Sequence, residues 1–245
     1  MSSINEKLIN DLNSFIEEQQ IFNYITRDTE LQKEACIKLS AFSERLAALK
    51  STVLLEGDEN AANLILGFEC VTQFLRSQIT MWILLKAEQP DEAWSHLINA
   101  QRAAGDAVRA HPGFTHLKHH VERLHAIEEL VFPPQVFTSM GIIVRRRTCS
   151  ICGEEYGECT HLVGKPYQGE ICHTFITEIE RIDHLAIVDN PANKNCRLVE
   201  FDVPEGTKNR MTWKVEPSSQ KNGAQQSDAG IKAKAILYGP GEIFE

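Results

Sequence analysis

Four of the seven cysteines and two of the nine histidines lie in one short run of the chain. Cys149 and Cys152 form a C-x-x-C pair, and Cys159 and His161 form a C-x-H pair after a short loop. This spacing lets two thiolates from a tight turn and two donors from the next loop reach one ion. Soft sulfur ligands with one imidazole favour zinc over magnesium, calcium or manganese. The sequence therefore predicts a Cys3His zinc site at these positions.

The predicted site is structural rather than catalytic, because four protein ligands leave no coordination position for water. Cys172 and His173 are reserve ligands, and Cys172 would replace His161 if that imidazole pointed away. Two alternatives stay open, namely a redox-active C-x-x-C pair and cysteines that hold no ion or form a disulfide. A redox pair is expected at the start of a helix between two strands, and no such pattern surrounds Cys149.

The residues before this run have the patterns of helices. Ser3 with Glu6 and Thr29 with Gln32 match the capping box that begins a helix. An apolar stripe at three- and four-residue steps predicts one face of a long helix. The stripe consists of Leu64, Phe68, Val71, Leu75, Ile79 and Trp82. Short connections such as "HPGF" predict that neighbouring helices pack antiparallel as a bundle.

The prolines of "VFPPQ" at 131–135 cannot continue a helix and mark a boundary. Beyond them, "QVFTSMGIIVRRR", "HLAIVDNPANKNCRLVEFDV" and "RMTWKVE" resemble strands. We predict an α+β protein in which an N-terminal antiparallel helical bundle, 1–132, precedes a small β-rich module with a zinc knuckle, 136–216. A flexible polar linker, 217–230, and a C-terminal strand or tail, 231–245, follow.

The composition limits the location and the partners of the protein. With 42% hydrophobic residues, the 245-residue chain can bury a core of its own. The formal net charge of -9 disfavours binding to nucleic acid or to anionic membranes. No secretory signal opens the sequence, and no apolar stretch reaches the roughly 20 residues of a membrane span. We expect a cytoplasmic protein, in which clustered cysteines indicate metal or redox chemistry.

Three stretches together resemble a segment of phage prohead (capsid maturation) proteases. They are "SMGIIV", "CSICGEEYGECTHLVGKPYQGEIC" and "HLAIVDNPANKNCRL", within residues 137–200. Some members of that family carry a similar small Cys/His insertion, and their barrel includes an S-x-G strand and a later V-x-x-P-A-N element. The resemblance implies Ser139 as a serine nucleophile. Its histidine partner does not carry over, because the region before Ser139 is helical and its histidines match no strand motif; these are His111, His116, His119, His120 and His125.

Two other groups of residues suggest chemistry. His116, His119 and His120 lie on or near one helical face, which we interpret as a solvated face rather than a second metal site. Arg109 and His116 have a spacing similar to the Arg-to-His motif of HEPN ribonucleases, which would make them ribonuclease residues. Arg145–Arg147 form a local basic patch, interpreted as a solvated strand end.

We expect a zinc-binding structural or protein-interaction protein that is noncatalytic, with a phage- or defence-associated setting. The zinc knuckle would fix loops that have little core of their own and present a surface to a protein partner. The helical bundle would allow self-association into a homo-oligomer. The alternatives are a serine endopeptidase of prohead-protease type that uses Ser139, and a HEPN-like ribonuclease that uses Arg109 and His116.

Overall fold

The computed structural model describes residues 6–217 and 231–233 and shows the predicted α+β class. The helices are α1 Glu6–Gln20, α2 Thr29–Leu55, α3 Glu59–Lys86, α4 Pro90–Ala110, a 3-10 helix Pro112–Leu117, and α5 Lys118–Val131. The strands are β1 Phe137–Cys149, β2 Pro166–Tyr167, β3 Glu170–Ile171, β4 Thr174–Val188, β5 Leu198–Val203, β6 Gly206–Asn209, β7 Val215–Pro217 and β8 Ile231–Ala233. No helix in the described residues is both long and apolar enough to cross a membrane.

The helix starts are set by local chemistry. Helix α2 begins after Asp28, whose side chain accepts hydrogen bonds from the amides of Glu30 and Leu31. The capping box predicted at Thr29 is therefore wrong by one residue, because the carboxylate before it caps the helix and Thr29 is already helical. The box predicted at Ser3 lies outside the described residues. Helix α4 begins at Pro90, where a missing amide proton costs nothing.

Helix α3 is the centre of the helical region and packs against α2 and α4. Its predicted stripe is buried from Phe68 to Trp82, whereas Leu64 is half-buried. The helix also buries residues on its other sides, including Ile65, Phe74 and Met81. A helix that is buried nearly all round is expected in the middle of a bundle rather than at its surface.

The chain divides into two compact units. One unit contains Met1–Glu128 and Thr148–Phe175, and the other contains Glu129–Arg147 and Ile176–Glu245. The cysteine-rich segment Thr148–Phe175 is therefore grouped with the helices and not with the larger sheets. We call this segment the knuckle. Contacts between strand β2 and helix α3, and between β3 and α4, account for this grouping.

The second unit contains two small sheets. Strands β1 and β4 form a two-stranded sheet, and the other sheet has the order β7-β6-β5-β8 with antiparallel pairing. The stretch "RMTWKVE" is not one strand as predicted, because residues 210–212 form a turn before β7 begins at Val215. The side chain of Asn209 holds this turn by accepting from the amides of Met211 and Thr212. The linker predicted at 217–230 lies outside the described residues, except for Pro217 at the end of β7.

Candidate metal centre

The C-x-x-C pair lies in a tight turn at the end of strand β1. The amide of Cys149 donates to the carbonyl oxygen of Glu154 over 2.8 Å, and the amide of Gly153 donates to the carbonyl oxygen of Cys149 over 2.9 Å. Gly153 has a φ angle of 74°, a left-handed conformation that other residues rarely adopt. The turn folds the backbone back on itself, as a site with two thiol ligands from one turn requires.

The four predicted ligands come together in the structure. One donor atom from each of Cys149, Cys152, Cys159 and His161 lies within 4.8 Å of the donor atoms of the other three. Cys149 is buried, Cys152 is exposed, and the other two are half-buried. Within the described residues, no other group of three or more His, Cys, Asp or Glu side chains has this spacing. The cluster could therefore hold a metal ion.

The imidazole of His161 has the environment of a ligand. Its Nδ1 is buried and lacks a hydrogen-bond partner among the described residues. Tyr167 packs edge-on against the ring, with 4.8 Å between ring centroids, and so fixes its orientation. A buried ring nitrogen without a partner costs free energy, so a bound ion would satisfy it. The donor set therefore fits a tetrahedral metal ion.

The thiols of Cys149, in the cluster, and Cys172, beside it, have different pKa values. Burial raises the pKa of Cys149, but hydrogen bonds from the backbone of Cys152 and Ile151 and from the thiols of Cys152 and Cys172 lower it to about 6. Burial, together with the hydrogen bond and negative charge of Cys149, raises the pKa of Cys172 to about 11. Near neutral pH, Cys149 is therefore a thiolate, the form that binds a metal, while Cys172 keeps its proton.

The two reserve ligands lie beside the cluster but outside it. The Sγ atom of Cys172 is buried 3.8 Å from that of Cys149. His173 is exposed, and its Nδ1 lies 3.2 Å from the carbonyl oxygen of Ile171. The backbones of Ser150 and His173 are joined by a hydrogen bond of 2.9 Å, which holds Cys172 next to Cys149. Cys172 is thus a neighbour of the donor set, with His161 in the fourth position.

The turn between strands β2 and β3 of the knuckle is hydrogen-bonded to the helices of the same unit. The amide of Gly169 donates to Oδ1 of Asn63 over 2.8 Å, and its carbonyl oxygen accepts from Nζ of Lys50 over 3.1 Å. The same Lys50 is paired with Glu69 at 2.5 Å. The amide of Gln168 donates to Oε1 of Glu59 over 3.2 Å. These contacts position the strands β2 and β3 that lead from His161 to Cys172.

The candidate residues before Ser139 make separate contacts with their neighbours. His119 pairs with Glu122, and His120 packs against the ring of Phe74. His116 lies in the 3-10 helix, where its Nδ1 is 3.1 Å from the carbonyl oxygen of Gly113. Arg109 pairs with Asp106 in its own helix. The ribonuclease hypothesis gains no support from these contacts and stays a prediction.

Ser139 lies half-buried on strand β1, two residues before Gly141, and the structure places over Gly141 a histidine that sequence reasoning missed. The ring of His184, on β4, covers Gly141, because a Cβ built on Gly141 would lie 2.5 Å from Cε1 of that ring. Residues two apart on a strand project from the same face, so Ser139 shares the face that His184 covers. Nδ1 of His184 is 3.2 Å from Oδ2 of Asp183. The resemblance placed the histidine partner before Ser139, whereas His184 opens the quoted segment "HLAIVDNPANKNCRL" and Asp183 directly precedes that segment.

Comparison with protein-family models, with curated proteins and with solved structures finds no match to this chain. The resemblance of residues 137–200 to phage prohead proteases therefore stays a prediction.

Proposed function

We propose that this chain is a noncatalytic zinc-binding protein, in which the ion shapes a module that presents a surface to a protein partner. The observation that carries the proposal is the convergence of three thiols and one imidazole within 4.8 Å. The unpaired, buried Nδ1 of His161 adds to it, because an ion would give that atom a partner. Four protein donors complete a tetrahedron and leave no place for a reactive water.

Zinc is the metal that this donor set favours. Three sulfurs and one nitrogen are soft to borderline ligands, which disfavour magnesium and calcium. The low pKa of Cys149 means that one thiolate is already present near neutral pH, so less proton release opposes metal binding. An iron centre in the same ligands would give a coloured protein, whereas zinc has no redox chemistry and no d-electron absorption.

The ion would act by holding the knuckle in one shape. This segment buries only Cys149, Gly169 and Cys172, so its apolar core is small. Ligands from the first turn and the following loop would close it around the ion, as in other small zinc modules. A fixed knuckle can present side chains to a protein partner, and the likeness of residues 137–200 to phage proteins favours a phage- or defence-related setting.

Metal analysis tests this proposal. We expect about one zinc per purified chain and no visible absorption band, as a single Cys3His site requires. The variant Cys152→Ser removes one ligand and is expected to lose the metal and to become protease-sensitive within 148–175. Its matched control is Cys36→Ser, which changes a half-buried cysteine of helix α2 outside the cluster and should keep the metal.

The proposal fails if the wild-type chain binds no zinc when refolded with the metal. It also fails if Cys152→Ser retains both the metal and the protease resistance of the wild type. Far-UV circular dichroism should show equal helix content in both variants, because helices α2 to α4 have an apolar core of their own.

The second candidate function is a serine peptidase, which one specific observation favours. His184 lies over the same face of β1 as Ser139, and Asp183 can accept a hydrogen bond from its Nδ1. A carboxylate that holds Nδ1 leaves Nε2 available to take the proton of a serine hydroxyl. His184 is largely exposed, so its ring is free to reorient.

A fluorophosphonate probe distinguishes this function from the first. Covalent labelling of the wild type that disappears in both Ser139→Ala and His184→Ala would support a peptidase. Labelling that persists in His184→Ala would assign the reaction to an isolated serine. A complete absence of labelling would leave the noncatalytic proposal in place.

A further inference from the structure

The knuckle presents two apolar side chains next to the metal ligand His161. Leu162 and Val163 are 58% and 52% exposed. They occupy the first two positions of a β-turn, in which the amide of Lys165 donates to the carbonyl oxygen of Leu162 over 3.1 Å. Gly164, the third residue, has a φ angle of 83°, as a type II turn requires. We call Leu162 and Val163 the apolar tip.

The backbone of this turn is fixed along its whole length. The amide of Leu162 donates to the hydroxyl oxygen of Tyr167 over 3.1 Å, and that of Val163 to the hydroxyl of Tyr156 at 3.5 Å. The amide of Gly164 donates to the carbonyl oxygen of Cys172 over 2.8 Å. On a flexible loop, two exposed aliphatic side chains would have no defined position. Here hydrogen bonds fix the backbone that carries them before a partner binds. Such preorganisation lowers the entropy cost of binding.

The segment that carries the apolar tip is acidic in sequence. From Cys149 to Lys165, the last residue of the turn, it contains three glutamates, one exposed lysine and no arginine. These glutamates, Glu154, Glu155 and Glu158, are exposed. A zinc ion with three thiolates adds a net charge of about -1 to the same segment. The net negative charge of this segment therefore favours a basic protein surface over nucleic acid or anionic lipid.

We propose that the apolar tip docks into an apolar socket of a partner protein, and that lysine and arginine side chains rim this socket. The inference rests on the proposed zinc-binding function, because the ion fixes His161 directly before the tip. Leu162 and Val163 would enter the socket and lose their exposed surface. The three glutamates would meet the basic rim, speed association and orient the partner.

Selection from a phage-displayed library of random linear peptides tests the inference on the zinc-loaded full-length chain. We expect the enriched peptides to combine aliphatic or aromatic residues with lysine or arginine. Their affinity should fall about tenfold or more in Leu162→Ser, the scale of an interface hot spot. It should also weaken as salt is raised. The matched control is Leu55→Ser, which changes an exposed leucine at the end of helix α2 and should bind as the wild type does.

Zinc content, measured on every sample, distinguishes failure of the proposed zinc-binding function from failure of the docking inference. A wild type without zinc overturns the proposed function itself. Zinc-loaded protein that enriches no peptide, or only acidic ones, overturns the docking inference alone, as does equal binding by Leu162→Ser. If size-exclusion chromatography shows a wild-type dimer that Leu162→Ser dissociates, the socket belongs to a second copy and the basic-rimmed partner is wrong.

Discussion

The helices and the knuckle belong to the same compact unit, but different interactions stabilise them. Helix α3 buries fourteen residues, and its neighbours α2 and α4 add Leu39, Leu46 and Leu97 to one apolar core. The knuckle, by contrast, buries only two cysteines and one glycine. Each fully buried aliphatic side chain contributes about 1.5–3 kcal/mol, so the helices need no ion. The knuckle has no comparable source of stability apart from its donor cluster and its hydrogen bonds to the helices.

Because of this difference, the site of a substitution determines which part of the unit it destabilises. A change in the helical core should lower the free energy of unfolding of the whole unit, whereas a change in the donor cluster should act on the knuckle alone. The two parts meet at Gly169, which contacts Lys50 and Asn63. Changes at this contact should report how far the stability of one part depends on the other.

The largest effect is expected from Leu97→Ala, which removes a buried side chain from the helical core. Leu97 is fully buried, and truncation of such a leucine costs about 2–5 kcal/mol because it leaves a cavity. The free energy of unfolding is measured by urea denaturation followed by far-UV circular dichroism. Under native conditions the zinc content should equal that of the wild type. A loss of zinc without global destabilisation would show that the core also shapes the cluster.

A smaller effect is expected from Gly67→Ala on helix α3. Alanine normally stabilises a helix by about 1 kcal/mol relative to glycine, but a Cβ here would overlap the ring of Phe114. We expect a net loss of about 1–3 kcal/mol from overpacking, measured by thermal unfolding. The control Gly105→Ala on α4 has open space around the new Cβ and should gain stability. If both variants gain, Phe114 moves aside easily and the packing there is loose.

The contact between the two parts is tested by Gly169→Ala. Gly169 has a φ angle of 75°, and an added Cβ would press against Lys50 and the carbonyl oxygen of Ala62. We expect a loss of about 1–2 kcal/mol from the left-handed backbone, plus a further loss from this contact. Gly57→Ala is the control, because Gly57 has the same φ but open surroundings. Equal losses in chemical denaturation of the two variants would mean that the knuckle does not contribute to the stability of the helices.

The smallest effect is expected from Cys172→Ala. Cys172 lies outside the donor group, but its Sγ atom is 3.8 Å from that of the ligand Cys149, so its removal should leave one zinc per chain and lower the zinc affinity by about tenfold. Competition with a chromophoric chelator measures the affinity. A loss of zinc from this variant, together with retention in His161→Ala, would move the fourth ligand from His161 to Cys172.

The sequence was most informative where the physics is local. The C-x-x-C and C-x-H spacings put four donors on two neighbouring turns, and the glycine at 153 supplies the φ angle that the first turn needs. The apolar stripe predicted the buried face of α3, and the two prolines after Val131 marked the end of α5. Hydrogen bonds from neighbouring side chains explain the errors. Asp28 caps α2 in place of Thr29, and Asn209 holds a turn in the segment predicted as one strand.

Residue types and spacing alone determined the α+β class and the four donors, because both follow from side-chain periodicity and from thiol chemistry within a few residues. The tertiary structure was needed to group the knuckle with the helices and to place His184 over the face of β1 that carries Ser139. It also decided that Cys172 stands outside the donor group. Each of these depends on contacts between residues far apart in the chain, such as Asn63 with Gly169. Contacts of that kind arise from packing, which leaves no periodic trace in the sequence.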